Sequence, residues 1–229
     1  RQMCIRDRAV VRPRTSLEVS RILSFATMEK VPITPRGGGT GLSGGALAVH
    51  GGIVLYMDRM CELLEIDREN MFATVEAGMI TEMFQDAVEK EGLFYPPDPA
   101  SRGTCFIGGN IAENSGGPRA VKYGVTKDWV YGLEVVLPTG EIINPGGKLL
   151  KNVSGYNLAQ LFVGSEGTLG VITMAILKLM AKPKYSVVLL AAYDDPHTAC
   201  RSVPALFHEG LVPSACEFLE KDAMEMAVA

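Results

Sequence analysis

The residues of this sequence best suited to bind an anion are the glycines of Arg36–Gly41, Arg-Gly-Gly-Gly-Thr-Gly. Consecutive glycines adopt positive φ easily, so several neighbouring backbone N–H groups can point at one negative group. The segment lacks the Gly-Lys-Ser/Thr ending of a P-loop. Its Leu-Ser-Gly-Gly continuation is a poor helix start, which argues against a Rossmann fingerprint. Taken alone, the segment is explained equally well as a turn or as a diphosphate site.

Three further groups of small, turn-forming residues strengthen the second interpretation. They lie at Pro96–Ser101, at Gly108–Asn110 with Asn114–Gly117, and at Gly164–Gly170. A Gly/Pro-rich passage as long as residues 94–118 is uncommon in a compact domain unless it is functional. Each group alone is more often a turn, but their joint occurrence favours an elongated ligand such as a dinucleotide.

Hydrophobic patterning places these loops between short strands and helices. The predicted strands are Ala9–Arg12, Val31–Pro35, Ile53–Met57, Leu63–Ile66, Phe72–Glu76, Trp129–Leu137, Glu141–Asn144 and Val171–Leu179. A first helix opens with a capping box of Thr15 and Glu18, and its predicted apolar face is Leu17, Ile22, Phe25 and Ala26. A second helix is capped by Thr81 and runs to about Glu91, and a third spans Asn157–Val163.

The composition changes near residues 182–184, Lys-Pro-Lys. Strands at Val187–Tyr193 and Ser214–Leu219 are predicted to alternate with helices at Asp195–Glu209 and from Lys221 onwards. We therefore expect one domain over residues 9–182 and the beginning of a truncated second domain over 183–229. Residues 1–8 do not fit the pattern of the rest of the chain and are interpreted as an end not native to the protein.

Composition narrows the class of protein. The net charge of −4 argues against nucleic-acid binding, which needs a basic surface. No apolar run reaches the roughly 20 residues of a transmembrane helix, and a cytoplasmic location is expected. The five cysteines are predicted to be reduced and mostly buried, and no metal or iron–sulfur site is expected in this chain.

Four sequence segments resemble one known family. They are PRGGGTGLSGG at 35–45, YPPDPAS at 95–101, IGGNIAENSGGPRAVKYGVT at 107–126 and GYNLAQLFVGSEGTLGVIT at 155–173. Together they resemble the FAD-binding PCMH-type domain of the vanillyl-alcohol oxidase superfamily. Within it they are most similar to the branch that acts on D-2-hydroxy acids, which includes the flavin-binding chain of glycolate oxidase, D-lactate dehydrogenase and D-2-hydroxyglutarate dehydrogenase.

The resemblance implies an α+β fold in which two small α/β subdomains hold FAD between them. It is strong over residues 9–182, and residues 183–229 resemble more weakly the start of the family's α+β cap domain. The residues it assigns to FAD are Pro35, Arg36, Gly37, Gly38, Gly39, Thr40, Gly41, Ala100, Ser101, Cys105, Phe106, Gly108, Gly109, Glu113, Asn114, Ser115, Gly116, Glu166, Gly167, Thr168, Gly170, Val171 and Ile172. Thr40 stands where some relatives attach FAD through a histidine, so non-covalent FAD is predicted.

The implied function is oxidation of a small 2-hydroxy acid, of the glycolate or D-lactate type, by hydride transfer to the flavin. Electrons would pass to an iron–sulfur subunit or another acceptor, and such partners could hold the protein at the inner membrane. The relatives' catalytic and metal-binding residues lie mostly in the later cap, so no catalytic residue is assigned. Arg102, Arg119 and Lys122 are cationic candidates near the flavin, with surface charges or structural ion pairs as the alternative.

Two other functions remain open at this point. One is a non-catalytic FAD-binding subunit of a multi-subunit oxidase, which would bind flavin without reacting with any hydroxy acid. The other is a different enzyme of the same superfamily, such as an ether-lipid synthase or a cell-wall precursor reductase.

Overall fold

A computed structural model of the chain describes residues 9–228, so the predicted non-native end at 1–8 lies outside the described residues. In chain order the elements are β1 (Ala9–Val11), α1 (Ser16–Met28), β2 (Ile33–Arg36), β3 (Ile53–Tyr56), β4 (Leu63–Asp67), β5 (Phe72–Glu76), α2 (Thr81–Lys90), β6 (Leu93–Phe94), α3 (Ile107–Glu113), α4 (Ala120–Tyr123), a 3₁₀ helix (Thr126–Trp129), β7 (Val130–Val136), β8 (Ile142–Ile143), α5 (Leu158–Phe162), β9 (Val171–Lys178), β10 (Met180–Ala181), α6 (Pro196–His208) and α7 (Lys221–Val228). This mixture of helices and strands confirms the predicted α+β class.

Two sheets contain most strands of residues 9–178. The first is parallel, with the order β1-β3-β2, and the apolar β3 lies at its centre with Val54 and Leu55 buried. The second is antiparallel and five-stranded, with the order β4-β5-β9-β7-β8. Beside them, β10 pairs with β6 and returns the chain past the end of α2.

The main core covers one face of the second sheet. Alternate residues Ala73 and Val75 of β5 belong to one buried cluster with Phe84 of α2 and with Ile107 and Ile111 of α3. Because side chains of a strand alternate between its two faces, β5 can seal this core with every second residue. The arrangement fixes α3 against the second sheet.

Helix α1 joins the two sheets. Its residues Val19 and Leu23 share a buried cluster with Leu55 of the first sheet and with Val136 and Val171 of the second. The helix face predicted from the sequence is therefore wrong in part. The side chains of α1 that are buried are Val19, Leu23 and Ala26, whereas Leu17 and Phe25, which we expected on the apolar face, are exposed.

Helix starts agree with the sequence in one case and differ in another. Thr15 caps α1 as predicted, because its side chain accepts a hydrogen bond from the Glu18 backbone N–H. The Glu18 carboxylate accepts instead from the Arg14 backbone N–H, so the capping box is incomplete. In α2 the N-cap is Ile80, and the hydroxyl of Thr81 bonds the Cys105 carbonyl oxygen. Thr81 was thus wrongly predicted as the cap.

The passage 94–118 is not irregular throughout, since it contains α3. The sequence signal was hidden by Gly108 and Gly109, which are poor helix formers. Ile107 and Ile111 are spaced four residues apart, and their burial in the core outweighs the glycine penalty. Tertiary packing therefore decides this element.

Beyond residue 182 the two predicted helices are present as α6 and α7, but the strands predicted at 187–193 and 214–219 are absent from the described structure. A strand needs a neighbouring strand for its backbone hydrogen bonds, and none of the described strands pairs with these segments. Val187, Val188, Leu189 and Leu190 are accordingly exposed despite their apolar character.

The cysteines also differ from expectation. Cys105 is buried, but Cys61, Cys200 and Cys216 are exposed free thiols, so the prediction that most cysteines are buried is wrong for the described residues. Cys4 lies outside them. Within the described residues, no helix combines the length and the apolar character needed to cross a bilayer.

Candidate functional site

A cleft of about 580 Å³ opens between the two sheets, within the size range of ligand pockets in proteins. Gly37 directly follows β2, Met57 follows β3 and Ala77 follows β5, so three strands of the two sheets end at this cleft. The lining residues are Pro35, Arg36, Gly37, Gly38, Gly39, Thr40, Gly41, Leu42, Ser43, Gly45, Ala46, Met57, Ala77, Ala100, Ser101, Cys105, Phe106, Gly108, Gly109, Asn110, Ala112, Glu113, Ser115, Glu166, Gly167, Gly170, Val171 and Ile172.

The cleft brings together nearly all residues that the sequence assigned to the cofactor. Asn114, Gly116 and Thr168 are the exceptions, since they do not line it. The sequence analysis missed Leu42, Ser43, Gly45, Ala46, Met57, Ala77, Asn110 and Ala112. Ala77 directly follows a predicted strand and Met57 ends one, so their positions could have pointed to them, and Asn110 lies inside a quoted motif.

The glycine loop 37–41 lines the cleft and carries backbone N–H groups that have no partner among the described residues. Within the described residues, none of its five backbone N–H groups donates a hydrogen bond to another protein group. The loop passes so close to the 104–105 backbone that a Cβ at Gly38 would overlap the Thr104 carbonyl oxygen. Gly39 adopts a φ of 68°, which also favours glycine. The loop can therefore hold a multiply charged anion by main-chain donors.

Arg36 adds a positive charge beneath this loop. Its guanidinium donates to the Ala46 carbonyl oxygen at 3.2 Å, and an added Cβ at Gly39 would lie 2.5 Å from its Nη2. No salt bridge with a described residue neutralises it. Because a guanidinium stays charged at any physiological pH, Arg36 favours an anion at the loop.

Two carboxylates lie near the Gly41 end of the loop, where an added Cβ at Gly41 would be 3.1 Å from Glu113 Oε1. Ser43 Oγ donates to both oxygens of Glu113, at 3.1 and 3.2 Å. A Cβ at Gly45 would lie 3.8 Å from Glu113 Oε1 and 3.9 Å from Glu166 Oε2. Carboxylates accept hydrogen bonds and repel phosphate. The part of the cleft beside these carboxylates is therefore suited to sugar hydroxyl groups, and the part beside Arg36 and Gly39 is suited to a diphosphate.

Backbone hydrogen bonds fix the turn 164–167 against the end of α3. The N–H groups of Gly164 and Glu166 donate to the carbonyl oxygens of Ile111 and Ala112, at 3.0 and 2.9 Å. Glu166 adopts a φ of 52°, which is uncommon for a residue other than glycine. The turn thus holds the Glu166 side chain at the cleft at the expense of local strain.

The three predicted residues outside the cleft have structural roles. Asn114 ends α3 in the left-handed conformation, and its Oδ1 accepts from the Lys127 backbone N–H at 2.9 Å. Gly116 packs against Val125, and the Thr168 hydroxyl donates to the Ser165 carbonyl oxygen at 2.6 Å. They stabilise the segments next to the cleft without lining it.

The two glycines of α3 serve different purposes. A Cβ at Gly108 would lie 2.7 Å from the Cβ of Ala77, so this glycine lets α3 approach the second sheet closely. A Cβ at Gly109 would meet no protein atom within 4 Å, although the residue lines the cleft. The packing of the protein therefore does not require a glycine at position 109. A ligand bound in the cleft could require it instead.

None of the three cationic candidates lines the cleft. Arg119 lies over the ring of Phe94 and pairs with Asp98 at 3.3 Å. Arg102 pairs with the same carboxylate at 3.4 Å and with Glu82. Lys122 lies over the ring of Tyr123. The alternative of structural ion pairs therefore fits both arginines, which fix the 98–102 turn.

Two other kinds of reactive site were considered, namely a buried tyrosine and a metal site. Burial raises the pKa of the Tyr95 hydroxyl far above its ordinary value, so that group stays protonated in the core. No cluster of three histidine, cysteine, aspartate or glutamate side chains suited to a metal ion occurs in the described residues.

The cleft itself offers hydrogen-bond donors for an anion, acceptors for hydroxyl groups and the apolar side chains of Met57, Phe106 and Ile172. Together these groups fit the parts of a flavin dinucleotide.

Comparison with known proteins gives two family matches. The model of the FAD binding domain matches residues 8–146, and the model of the C-terminal domain of FAD linked oxidases matches residues 182–229. The first match covers more than half of the chain. It includes the glycine loop and α3.

Individual relatives share the sequence over nearly the whole chain. Glycolate oxidase subunit GlcD of Bacillus subtilis is 52% identical over 94% of this chain and 46% of its own length. D-lactate dehydrogenase of Anaerostipes hadrus is 41% identical over 96% of this chain and 46% of its own. A solved alkyldihydroxyacetonephosphate synthase is 29% identical, with a TM-score of 0.77 over 90% of this chain and 38% of its own. The chain thus spans about half the length of the curated relatives it matches.

Proposed function

This chain belongs to the FAD binding domain family, and from this fact we propose its function. FAD is accordingly its cofactor, and the resemblance noted in the sequence is confirmed. How the chain holds FAD, and which reaction it serves, are the subjects of the proposal.

The cleft between the two sheets is proposed as the FAD site. The observation that carries this proposal is the row of unpaired N–H groups at 37–41, because a diphosphate needs several converging donors. Arg36 would add charge, and Glu113 and Glu166 would accept hydrogen bonds from sugar hydroxyls. The assignment of the predicted residues to cofactor contacts is part of this proposal, as is the division of the chain at residue 182.

FAD is proposed to bind non-covalently. Thr40 occupies the position at which a covalent histidine stands in some members of the superfamily, and a hydroxyl is no substitute for an imidazole in that bond. Among the three histidines of the chain, none lines the cleft. Non-covalent contacts of the kind described above would therefore hold the cofactor.

The proposed reaction is oxidation of a small 2-hydroxy acid to the 2-oxo acid. The proposal is supported by the two relatives named glycolate oxidase subunit and D-lactate dehydrogenase. Bound flavin would supply the acceptor for the hydride, which carries both electrons of the oxidation. This chain's residues orient the cofactor and exclude water from its dinucleotide portion. Glycolate and D-lactate are the substrates we consider first.

Electrons must then leave the reduced flavin. An iron–sulfur subunit or another acceptor is proposed as the partner, because one relative is named as a subunit of an oxidase. A cytoplasmic location, with attachment to the inner membrane through such a partner, is proposed with it. A non-catalytic FAD-binding subunit remains the alternative function.

A spectroscopic experiment separates these functions. The protein at its full natural length is purified, reconstituted with FAD and mixed anaerobically with glycolate, D-lactate or D-2-hydroxyglutarate. Loss of the flavin absorbance near 450 nm with one of them is expected for the proposed enzyme. A yellow protein that none of these acids bleaches contradicts the proposed reaction and favours the non-catalytic alternative.

A further inference from the structure

Asn110 is a buried polar residue in the wall of the cleft. Only 3% of its surface is exposed, and it lies on α3 one turn beyond Phe106. Burial of a side-chain amide is unfavourable unless both of its ends find partners. The partners of Asn110 therefore indicate what the residue does.

The amide nitrogen of Asn110 is held by the protein. Its Nδ2 donates to Thr81 Oγ1 at 2.6 Å. Thr81 is completely buried, and its hydroxyl donates to the Cys105 carbonyl oxygen at 3.2 Å. Because the proton of the Thr81 hydroxyl is directed at Cys105, the Thr81 oxygen can only accept a hydrogen bond from Asn110. The amide nitrogen of Asn110, and not its oxygen, must therefore face Thr81.

The carbonyl oxygen of Asn110 is not held in this way. Within the described residues, no hydrogen bond reaches Asn110 Oδ1. Among the described residues, the side-chain nitrogen and oxygen atoms that are fully buried and have no partner are Thr74 Oγ1 and the Tyr95 hydroxyl. Asn110 Oδ1 is also without a partner but is not one of these fully buried atoms, so some of its surface is accessible. The unpaired oxygen therefore keeps contact with the open cleft that Asn110 lines.

We propose that Asn110 Oδ1 accepts a hydrogen bond from a neutral N–H or O–H group of bound FAD, and that Thr81 positions it. A carbonyl oxygen repels phosphate, so this contact is separate from the anion site at 37–41. The donors that FAD offers are the imide of the isoalloxazine, the amino group of adenine and the hydroxyls of ribityl and ribose. The inference rests on the proposed FAD site and adds to it a residue pair that binds the cofactor's neutral part.

Isosteric substitutions test the pair in the whole chain. Asn110→Leu removes the acceptor, and Thr81→Val removes the positioning hydroxyl without touching the ligand. Thr81→Ser keeps the hydroxyl. Thr74→Val is the matched control, because Thr74 is also a buried threonine, but its hydroxyl has no partner in the described part of the chain and the residue does not line the cleft.

FAD affinity is measured by flavin fluorescence titration, and folding is checked by the thermal unfolding midpoint without FAD. We expect Asn110→Leu and Thr81→Val to weaken FAD binding about fivefold to twentyfold, which corresponds to one hydrogen bond. Thr81→Ser should restore wild-type affinity, and Thr74→Val should leave it unchanged. Titration with ADP shows which half of FAD carries the donor. If Asn110→Leu weakens the binding of ADP and FAD equally, the donor lies in the adenosine half. If it weakens the binding of FAD alone, the donor lies in the flavin half.

Two negative results have different meanings. If wild-type protein does not bind FAD, the proposed cofactor site itself fails. If wild-type protein binds FAD but folded Asn110→Leu and Thr81→Val bind it within twofold of wild type, the site stands and the role of Asn110 is refuted.

Discussion

At the scale of single residues, the cleft depends on glycines that are there for different reasons. Gly38 and Gly108 permit close approach of two backbone segments or of a helix to a sheet, since a Cβ at either would overlap a neighbour. Gly109 has open space instead. Residue types alone reveal that glycines cluster, but only the three-dimensional contacts separate structural glycines from those that leave room for a ligand.

Gly109→Ala is expected to weaken FAD binding without harming the fold. Alanine is a better helix former than glycine by roughly 1 kcal/mol, so the FAD-free protein should unfold at the same or a higher temperature. The added methyl group would occupy the cleft and lower the affinity for FAD at least tenfold, measured by fluorescence titration.

Gly108→Ala is the matched control on the same helix. Its methyl group would overlap Ala77, so the FAD-free protein should be destabilised. Loss of thermal stability in Gly109→Ala equal to that in Gly108→Ala would show that position 109 is structural.

At the scale of elements, α1 connects the two sheets that enclose the cleft. Beside its buried apolar residues, the hydroxyls of Ser20 and Thr27 donate to the carbonyl oxygens of Gly140 and Pro138 in the β7–β8 connection. The sequence predicted the existence of α1 and the Thr15 cap, because both are local signals. It predicted the buried face only in part, with Ile22 and Ala26 right and Leu17 and Phe25 wrong, because that face is determined by sheets distant in sequence.

Ser20→Ala should lower the free energy of unfolding by about 1 kcal/mol, the usual net contribution of one hydrogen bond. Urea denaturation of the FAD-free protein measures it. Ser24→Ala is the control, since Ser24 lies on the same helix and its hydroxyl makes no hydrogen bond in the described residues. Equal destabilisation by both substitutions would argue against a role for the α1 hydroxyl contacts.

At the scale of the whole molecule, the loops that form the cleft come from distant parts of the chain. Their clustering could be predicted because four ordered motifs resemble one family, and most of the predicted residues do line one cleft. The strands expected beyond residue 182 were wrong because strand pattern does not provide a pairing partner. Asn110 was missed because a buried asparagine looks like any other residue of a loop until its hydrogen bonds are known.

Non-covalent FAD has a consequence for the whole fold. Acid precipitation of the reconstituted protein should leave the flavin in the supernatant and a colourless pellet. FAD at about one hundred times its dissociation constant should also raise the free energy of unfolding by about 2.7 kcal/mol, because only the folded state binds it. A yellow pellet would contradict the interpretation of Thr40.

The proposed cofactor site depends above all on the main-chain N–H groups at 37–41, which would bind the diphosphate of FAD. This role is tested by calorimetric titration of the FAD-free protein with ADP and with adenosine, which differs from ADP only by the missing diphosphate. Several charge-assisted hydrogen bonds predict that ADP binds at least about one hundredfold more tightly than adenosine. Equal affinities for the two compounds would contradict the claim.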